Sequence, residues 1–325
     1  MFYNFYPVNI LLVAISRALV TGGAGFIGGH IVRDLLSRGF SVSVVDNLKT
    51  GDLRNIPDSA EFHQLDCGKD DIGFLFDEPY DLIYHFAGQS SVEISYKDPL
   101  YDLRTNTEST VRILEKCINS DSHLIYASSM SVYGGNPPMP KSENSNRDGS
   151  NFYAIGKKAS EDYLKEFHKL GVKTTSLRLF NIYGPGQNLS NLSQGMLSIY
   201  LAQALEKEHI IIKGSLDRSR DFVHIYDVLR FLRAIEGNPK TFGEVLNICT
   251  GRKYTVLEVI QNIQMLLGNH ITYETKKGTP GDIDNMLGDA SKLISITSIE
   301  AEIDLKYGIK TMIESIASNE YYSCR

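Results

Sequence analysis

Residues 21–29 read TGGAGFIGG, and what stands on either side of them decides the fold. The apolar run 18–21 predicts a strand, and the pattern from Phe26 to about residue 38 predicts a helix. Gly22, Gly25 and Gly28 therefore fall in a strand-to-helix turn with GxxGxxG spacing. Glycine permits the tight turn and lets backbone N–H groups approach a diphosphate at the helix N-terminus. Three glycines also serve ordinary flexible turns, so context has to decide. The next apolar run, SVSVVD, ends in Asp46, 24 residues after Gly22. A carboxylate there accepts hydrogen bonds from ribose hydroxyls and repels a 2′-phosphate, which favours NAD over NADP. Asp66 closes a third strand, where an acid either reaches the adenine or caps the DDIGFLF stretch that follows.

Further strands at 82–85, 123–128 and 174–179 alternate with helical patterns at 101–119 and 151–170. This alternation predicts an α/β fold with a doubly wound, parallel, Rossmann-type sheet. After Asn181 the rhythm breaks. Pro185, Gly186, Asn188, Asn191 and Gly195 mark a loop, and a helix at 197–206 and a strand at 210–213 follow. Segments 223–234 and 244–248 bring more helix and sheet, and the tail from Leu257 lacks clear alternation. The expected organisation is an NAD-binding lobe at 17–180, to which segments near 221–250 return, and a smaller interleaved substrate lobe within 181–325.

The chain has 325 residues with a formal net charge of −6, and a nucleic-acid partner would call for a basic excess. Its four cysteines are widely spaced with no histidine at ligand distance, so no metal site and no disulfide framework is expected. A reduced, cytoplasmic setting follows as the simpler reading. At 1–16 the apolar run 10–15 is too short to span a bilayer, and the first basic residue, Arg17, comes after it. That segment is read as an extension, and no membrane partner is expected.

The chemistry is carried by two stretches. YASSMSVYG at 126–134 closes the fifth strand with hydroxyl groups and contains no acid and no cysteine. Tyr153 and Lys157 stand one helical turn apart in YAIGK, so they share a face. A phenol is a poor base at neutral pH, but a nearby ammonium and an oxidised nicotinamide both stabilise its phenolate. Tyrosine then serves as base for an alcohol about to lose hydride.

With TGGAGFIG, HFAGQSSV (85–92), YASSMSVYG, YAIGK, LRLFNIYGPGQ (178–187), RDFVHIYDV (220–228) and LNICTG (246–251) in this order, the chain resembles the extended short-chain dehydrogenase/reductases. The resemblance is to their nucleotide-sugar epimerase/dehydratase group and runs from about residue 17 to about residue 318. It implies Ser129, Tyr153 and Lys157 as catalytic residues. It places Gly22, Gly25, Phe26, Ile27, Gly28, Asp46, Asn47, Asp66, Cys67, Ala87, Gly88 and Asn106 at NAD, with Lys157 also on the nicotinamide ribose. Asn181 and Arg220 fall where the family holds the substrate diphosphate, and a guanidinium suits phosphate oxygens. Met286 falls near the sugar's C2, where core filling is the plain alternative. Thr279 stands where the family often has an arginine that grips the nucleotide; Lys276 and Lys277 lie just upstream.

Within that group, dehydrating members carry an acid after the catalytic Ser/Thr, and members that epimerise beside a ketone often carry cysteine. Here Met130 and Ser131 occupy those places. The expectation is a 4-epimerase of a nucleotide-diphosphate sugar, a UDP-sugar first among them. The alternatives are a reductase, oxidoreductase or dehydratase of the same fold, or a non-catalytic NAD-binding protein. Apolar residues beyond one stripe on 101–119 and 151–170 suggest a homodimer paired through those helices, as the family often uses.

Overall fold

The computed structural model describes residues 16–135, 138–190, 195–268, 270–278 and 284–318; all but the last residue of the 1–16 extension, and Thr279, lie outside the described residues. The strands in chain order are β1 (Arg17–Thr21), β2 (Ser41–Asp46), β3 (Glu61–Gln64), β4 (Leu82–His85), β5 (His123–Ser129), β6 (Lys173–Leu179), β7 (Asn181–Tyr183), β8 (His209–Lys213), β9 (Ser219–Arg220), β10 (Phe222–His224), β11 (Glu244–Ile248), β12 (Tyr254–Thr255) and β13 (Thr272–Lys276). The helices are α1 (Phe26–Ser37), α2 (Val92–Lys97), α3 (Pro99–Leu103), α4 (Ser109–Lys116), α5 (Phe152–Lys169), α6 (Met196–Lys207), α7 (Ile225–Ile235), α8 (Val256–Leu267), α9 (Ser291–Thr297) and α10 (Leu305–Ser318). A π-helical turn, Arg104–Glu108, joins α3 to α4.

Seven strands form one parallel sheet in the order β11-β6-β5-β4-β1-β2-β3. The two-residue period of its strands sorts their side chains onto two faces. Ala18 and Val20, Leu82 and Tyr84, and Ile125 pack with Ile31, Val32 and Leu35 of α1 and Phe231 and Leu232 of α7. The intervening Leu19, Ile83, Leu124 and Tyr126 pack on the opposite face with Ile113 and Leu114 of α4 and Leu164 of α5. Both faces are covered, which is why β5 is buried along its whole length and its sequence is nearly all apolar up to the serines. A separate core gathers Leu197 and Leu201 of α6, Ile210 and Ile212 of β8, Val259 and Ile263 of α8 and Ile309 of α10. Strand order reverses at β1, between β4 and β2, and the carboxyl ends of such strands leave a crevice. Among the described residues no helix is long and apolar enough to cross a membrane.

Candidate active site

At the carboxyl end of β1 the chain turns at Gly22, which has φ +75° and lies against the β4 strand end: a Cβ there would stand 2.6 Å from Ala87 N. Gly28, in the first turn of α1, packs still closer, since a Cβ would fall 2.1 Å from Gly22 O. No side chain caps the N-terminus of α1. Asp46 ends β2 with its carboxylate accepting from Ala24 N at 3.1 Å and Leu48 N at 2.8 Å. Burial raises its pKa while those two bonds oppose the rise. Asn47 Nδ2 donates to Asp66 Oδ2 at 3.2 Å, and Asp66 Oδ1 accepts from Gly68 N at 3.0 Å. Asp66 thus organises its own turn rather than capping the 73–76 helical turn, where Asp71 accepts from Gly73 N. Beside it the Cys67 thiol is pushed up to about 12 by burial and then by Asp66 and Asp46, so it is inert as a nucleophile.

Gly22, Gly25, Phe26, Ile27, Asp46, Asn47, Asp66, Cys67, Ala87 and Gly88 all line one cavity of about 1530 Å³. A turn with no room for side chains, an uncapped helix start and a buried carboxylate one strand away fit a dinucleotide. Asn106 is fully buried and stands behind this wall: its Nδ2 donates to Gln89 O at 3.0 Å. The resemblance puts it at the cofactor; in the structure it does not line the cavity and stands behind the Gly88 turn.

Midway along the cavity, β5 ends in two serines with different surroundings. Ser128 Oγ donates to Glu161 Oε1 at 2.5 Å, and Glu161 is paired with Arg178 at 2.7 Å in the core. Ser129 accepts from Ser131 N at 3.2 Å, capping the short turn 130–133, and lines the cavity. α5 starts at the Asn151 cap, whose Oδ1 accepts from Ala154 N at 2.8 Å, and it brings Tyr153 and Lys157 to the same place. Lys157 Nζ donates to Ala127 O at 2.8 Å and lies 5.8 Å from the centre of the Tyr153 ring. Burial pushes the Tyr153 phenol up to about 12; its hydrogen bond with Ser129 opposes the rise and Asp102 adds to it. Burial also pushes Lys157 down to about 8, against the pull of Asp102 and Glu161.

The far wall comes from the second half of the chain. Asn181 on β7 donates from Nδ2 to Asp221 O at 2.9 Å. Arg220 on β9 is 6% exposed, so it is no surface ion pair; its Nη1 donates to Ser219 O at 2.9 Å and Asp284 O at 3.1 Å. The neighbouring Asp221 carboxylate is occupied by Thr250, Gly251 and Gly288. Both Asn181 and Arg220 line the cavity. Met286 does not: it is fully buried in the core, where its backbone N–H pairs with Ser219 O. The sugar-contact expectation for Met286 is corrected to core filling.

Sequence reading missed α2, although Ser91 caps it and Glu93 stands in its first turn, and Asp98-Pro99 then starts α3. Val92, Glu93, Tyr96 and Lys97 of α2 line the cavity, as do Tyr200, Lys213 and Arg218 opposite. Asp102 was missed as well; a lone acid in a helical pattern reads as solvated.

Fold and cavity together fit an NAD-dependent enzyme. The chain belongs to the NAD dependent epimerase/dehydratase family, whose profile matches residues 18–249. It is 33% identical over 306 residues to the putative UDP-glucose 4-epimerase of Methanocaldococcus jannaschii, covering 93% of this chain and 98% of that one. The crystal structure of UDP-glucose 4-epimerase from Thermotoga maritima with UDP-glucose superposes with a TM-score of 0.89 at 31% identity, covering 94% and 99% of the two chains. The UDP-N-acetyl-alpha-D-glucosaminuronate decarboxylase of Bacillus cytotoxicus is 28% identical, over 92% of this chain and 97% of that one. The family therefore fixes nucleotide-sugar modification with NAD, and the reaction at the sugar is a finer question.

Proposed function

We propose that this chain is an NAD-dependent 4-epimerase of nucleotide sugars, with a UDP-hexose as substrate. What supports the reading is the composition of the wall around the phenol. On the β5 side its neighbours are Ser129, Met130 and Ser131, and the carboxylates among the described cavity-lining residues are Asp46, Asp52, Asp66 and Glu93. The first three stand at the β2 and β3 end, and Glu93 is exposed on α2 and ion-paired with Lys97 at 2.6 Å. Expelling a hydroxyl group needs an acid beside it, and inverting a carbon next to a ketone needs a base for its C–H proton. A thioether and a hydroxyl do neither.

Bound NAD supplies a reversible hydride acceptor and a positive charge beside the buried phenol. Tyr153, as phenolate, takes the proton of the C4 hydroxyl directly or through Ser129 Oγ. Lys157 stabilises that phenolate by its charge. Asn181 and Arg220 hold the diphosphate while the sugar turns within the cavity, and Tyr153 returns the proton to the same oxygen with the carbon inverted. Substrate and product are isomers, so the reaction has no net redox change.

The test is a panel of UDP-, dTDP-, GDP- and CDP-sugars, UDP-glucuronic acid included, incubated with the purified protein and NAD and read by NMR or chromatography. Inversion at C4 without accumulation of NADH is expected. Loss of water or of a carboxyl group, stoichiometric NADH, or binding of NAD with no sugar converted would each overturn the reading.

The same reading gives residues 17–180, with segment 221–250, the cofactor, and gives most of 181–325 the substrate. The three cysteines among the described residues are free and buried, which suits a reducing, cytoplasmic setting. The apolar side chains left exposed on α3 and α5 (Leu100, Leu103, Ile155 and Tyr163) suit pairing of two copies through these helices. A monomeric mass by light scattering at micromolar concentration would rule that pairing out.

A further inference from the structure

The wide turn between α3 and α4 sits directly behind the catalytic helix. Thr105, Asn106 and Thr107 are successive and all buried, so this turn is packed on more than one side. Thr107 Oγ1 donates to Gly156 O at 3.2 Å and Ser160 Oγ to Asn106 O at 2.8 Å, which fastens the turn to α5 beside Lys157. Gly156 faces this contact: a Cβ there would stand 3.4 Å from Asp102 Oδ2 and 3.4 Å from Thr107 Oγ1.

Asp102 lies at the centre of this contact and is 2% exposed. Its Oδ1 accepts from Gln89 Nε2 at 2.6 Å and from Asn106 Nδ2 at 3.0 Å. Gly88, one residue before Gln89, is pressed between the same groups and the lysine. A Cβ on Gly88 would stand 2.6 Å from Asn106 Oδ1 and 3.5 Å from Lys157 Nζ. Two amide donors do not require a carboxylate, because an amide oxygen also accepts two bonds. Burying a carboxylate is costly unless a cation balances it. Burial raises the Asp102 pKa; the bonds from Gln89 and Asn106, and then the buried ammonium of Lys157, oppose that rise.

We propose that Asp102 is a positioning residue for the reaction: its carboxylate fixes Gln89 and Asn106 behind the Gly88 turn and supplies the negative charge that keeps Lys157 cationic beside Tyr153. This rests on the proton-handling role proposed for Tyr153 and Lys157. The groups that face Lys157 come from several elements. Glu161, one turn further along α5, is engaged by Arg178 and Arg147. The Tyr126 ring on β5 lies 4.8 Å from Nζ and its phenol is pushed upward by burial. His85 on β4 is held neutral, burial lowering it to about 3, with Lys157 adding to the effect. Tyr153 completes the set, and Asp102 is the carboxylate among these groups whose hydrogen-bond donors are amides.

Asp102→Asn tests the charge, since it keeps the volume and an oxygen able to accept both bonds. A negative charge raises the pKa of every group it faces, so its loss lowers those of Lys157 and Tyr153 alike. Both limbs of the pH–rate profile should therefore move to lower pH together, by roughly half to one unit, with NAD affinity and Tm close to the parent's. Ionisation of the Tyr153 phenol in the NAD-loaded protein should move the same way. It is followed by ultraviolet difference absorbance, each protein read against its own Tyr153→Phe version. Asp102→Leu removes charge and bonds together and should weaken NAD retention by about tenfold as well. If Asp102→Asn leaves the pH limbs and the phenol titration where they were, the carboxylate only fills space and the proposal falls. If no sugar is converted by the parent, the proposed function fails, and the phenol titration still decides the role of Asp102.

Discussion

At one end of the cavity the wall is main chain packed on main chain; at the other it is side chains reaching in from short strands. Gly22 and Gly28 leave no space between β1, α1 and the loop after β4, where the nearest atoms to an added Cβ are backbone atoms at 2.1–2.8 Å. Opposite them, Arg220 sits on a two-residue strand, and Tyr200, Lys213 and Arg218 come from three different segments. Backbone in such contact cannot drift without losing the turn, whereas side chains on separate segments change one at a time. The contrast accounts for a family that keeps one cofactor and includes both epimerases and decarboxylases.

The largest expected effect is at the backbone end. Gly28→Val drives a branched side chain into Gly22 O, which cannot yield as a flexible side chain would. We expect a cost of about 3 kcal/mol or more and protein that purifies without NAD. Met196→Ala, on the opposite wall of the cavity, should leave NAD content at the parent's level. NAD retained by Gly28→Val would break the comparison at its strongest point. Next comes Tyr153→Phe, at the junction of the two ends. It should lower turnover by about 10²–10⁴-fold while NAD stays bound, and near-normal turnover would remove Tyr153 as the base.

How much of this could be read in the sequence follows the same divide. The glycine turn, Asp46, the serines ending β5 and the Tyr153–Lys157 pair are local: each needs only a strand end or one helical turn to fix its direction. For Met286 the resemblance and core filling stand as alternatives in the sequence, because its direction depends on the pairing of its backbone with Ser219, 67 residues away. The resemblance puts Asn106 at the cofactor, and the 101–119 pattern reads as one regular helix. In the structure Thr105, Ser109 and Thr110 bond back to the carbonyls of Tyr101, Thr105 and Asn106, and a wider turn intervenes. Such back-bonding bends helices, but which side chains adopt it is settled by the packing against α5.

Lys157 offers a third test, through stability. Burial lowers it to about 8 from an ordinary 10.5, so between these values the unfolded chain holds a proton that the folded chain has lost. Stability then rises with pH across that window, because the cost of burying the cation applies below it and is relieved above. Measured against Lys157→Met in NAD-free protein, the gain between about pH 7 and about pH 9.5 should be on the order of 2 kcal/mol. Other titrating groups are common to both proteins and cancel in the difference. Parallel urea midpoints across the window would mean that Lys157 is not buried as a cation, and the helper role assigned to it would fail with that.

The smallest effect expected is at the side-chain end, and it sharpens the comparison most. Arg220 Nη1 is tied to Ser219 O and Asp284 O, which fixes the guanidinium plane against the cavity wall. Arg220→Lys keeps the charge but has no rigid fork, so an ammonium held by those carbonyls has fewer directed donors for a diphosphate. Inhibition by UDP and KM for the UDP-sugar should weaken by about tenfold. NAD content should match the parent's, and kcat should stay within about threefold, since the proton handled by Tyr153 is at the other side of the sugar. A fall in kcat as large as the rise in KM would mean that Arg220 holds the sugar's reacting end too. A loss of NAD would mean that the two ends of the cavity are one cooperative unit, and that the tolerance inferred for the side-chain wall is not there.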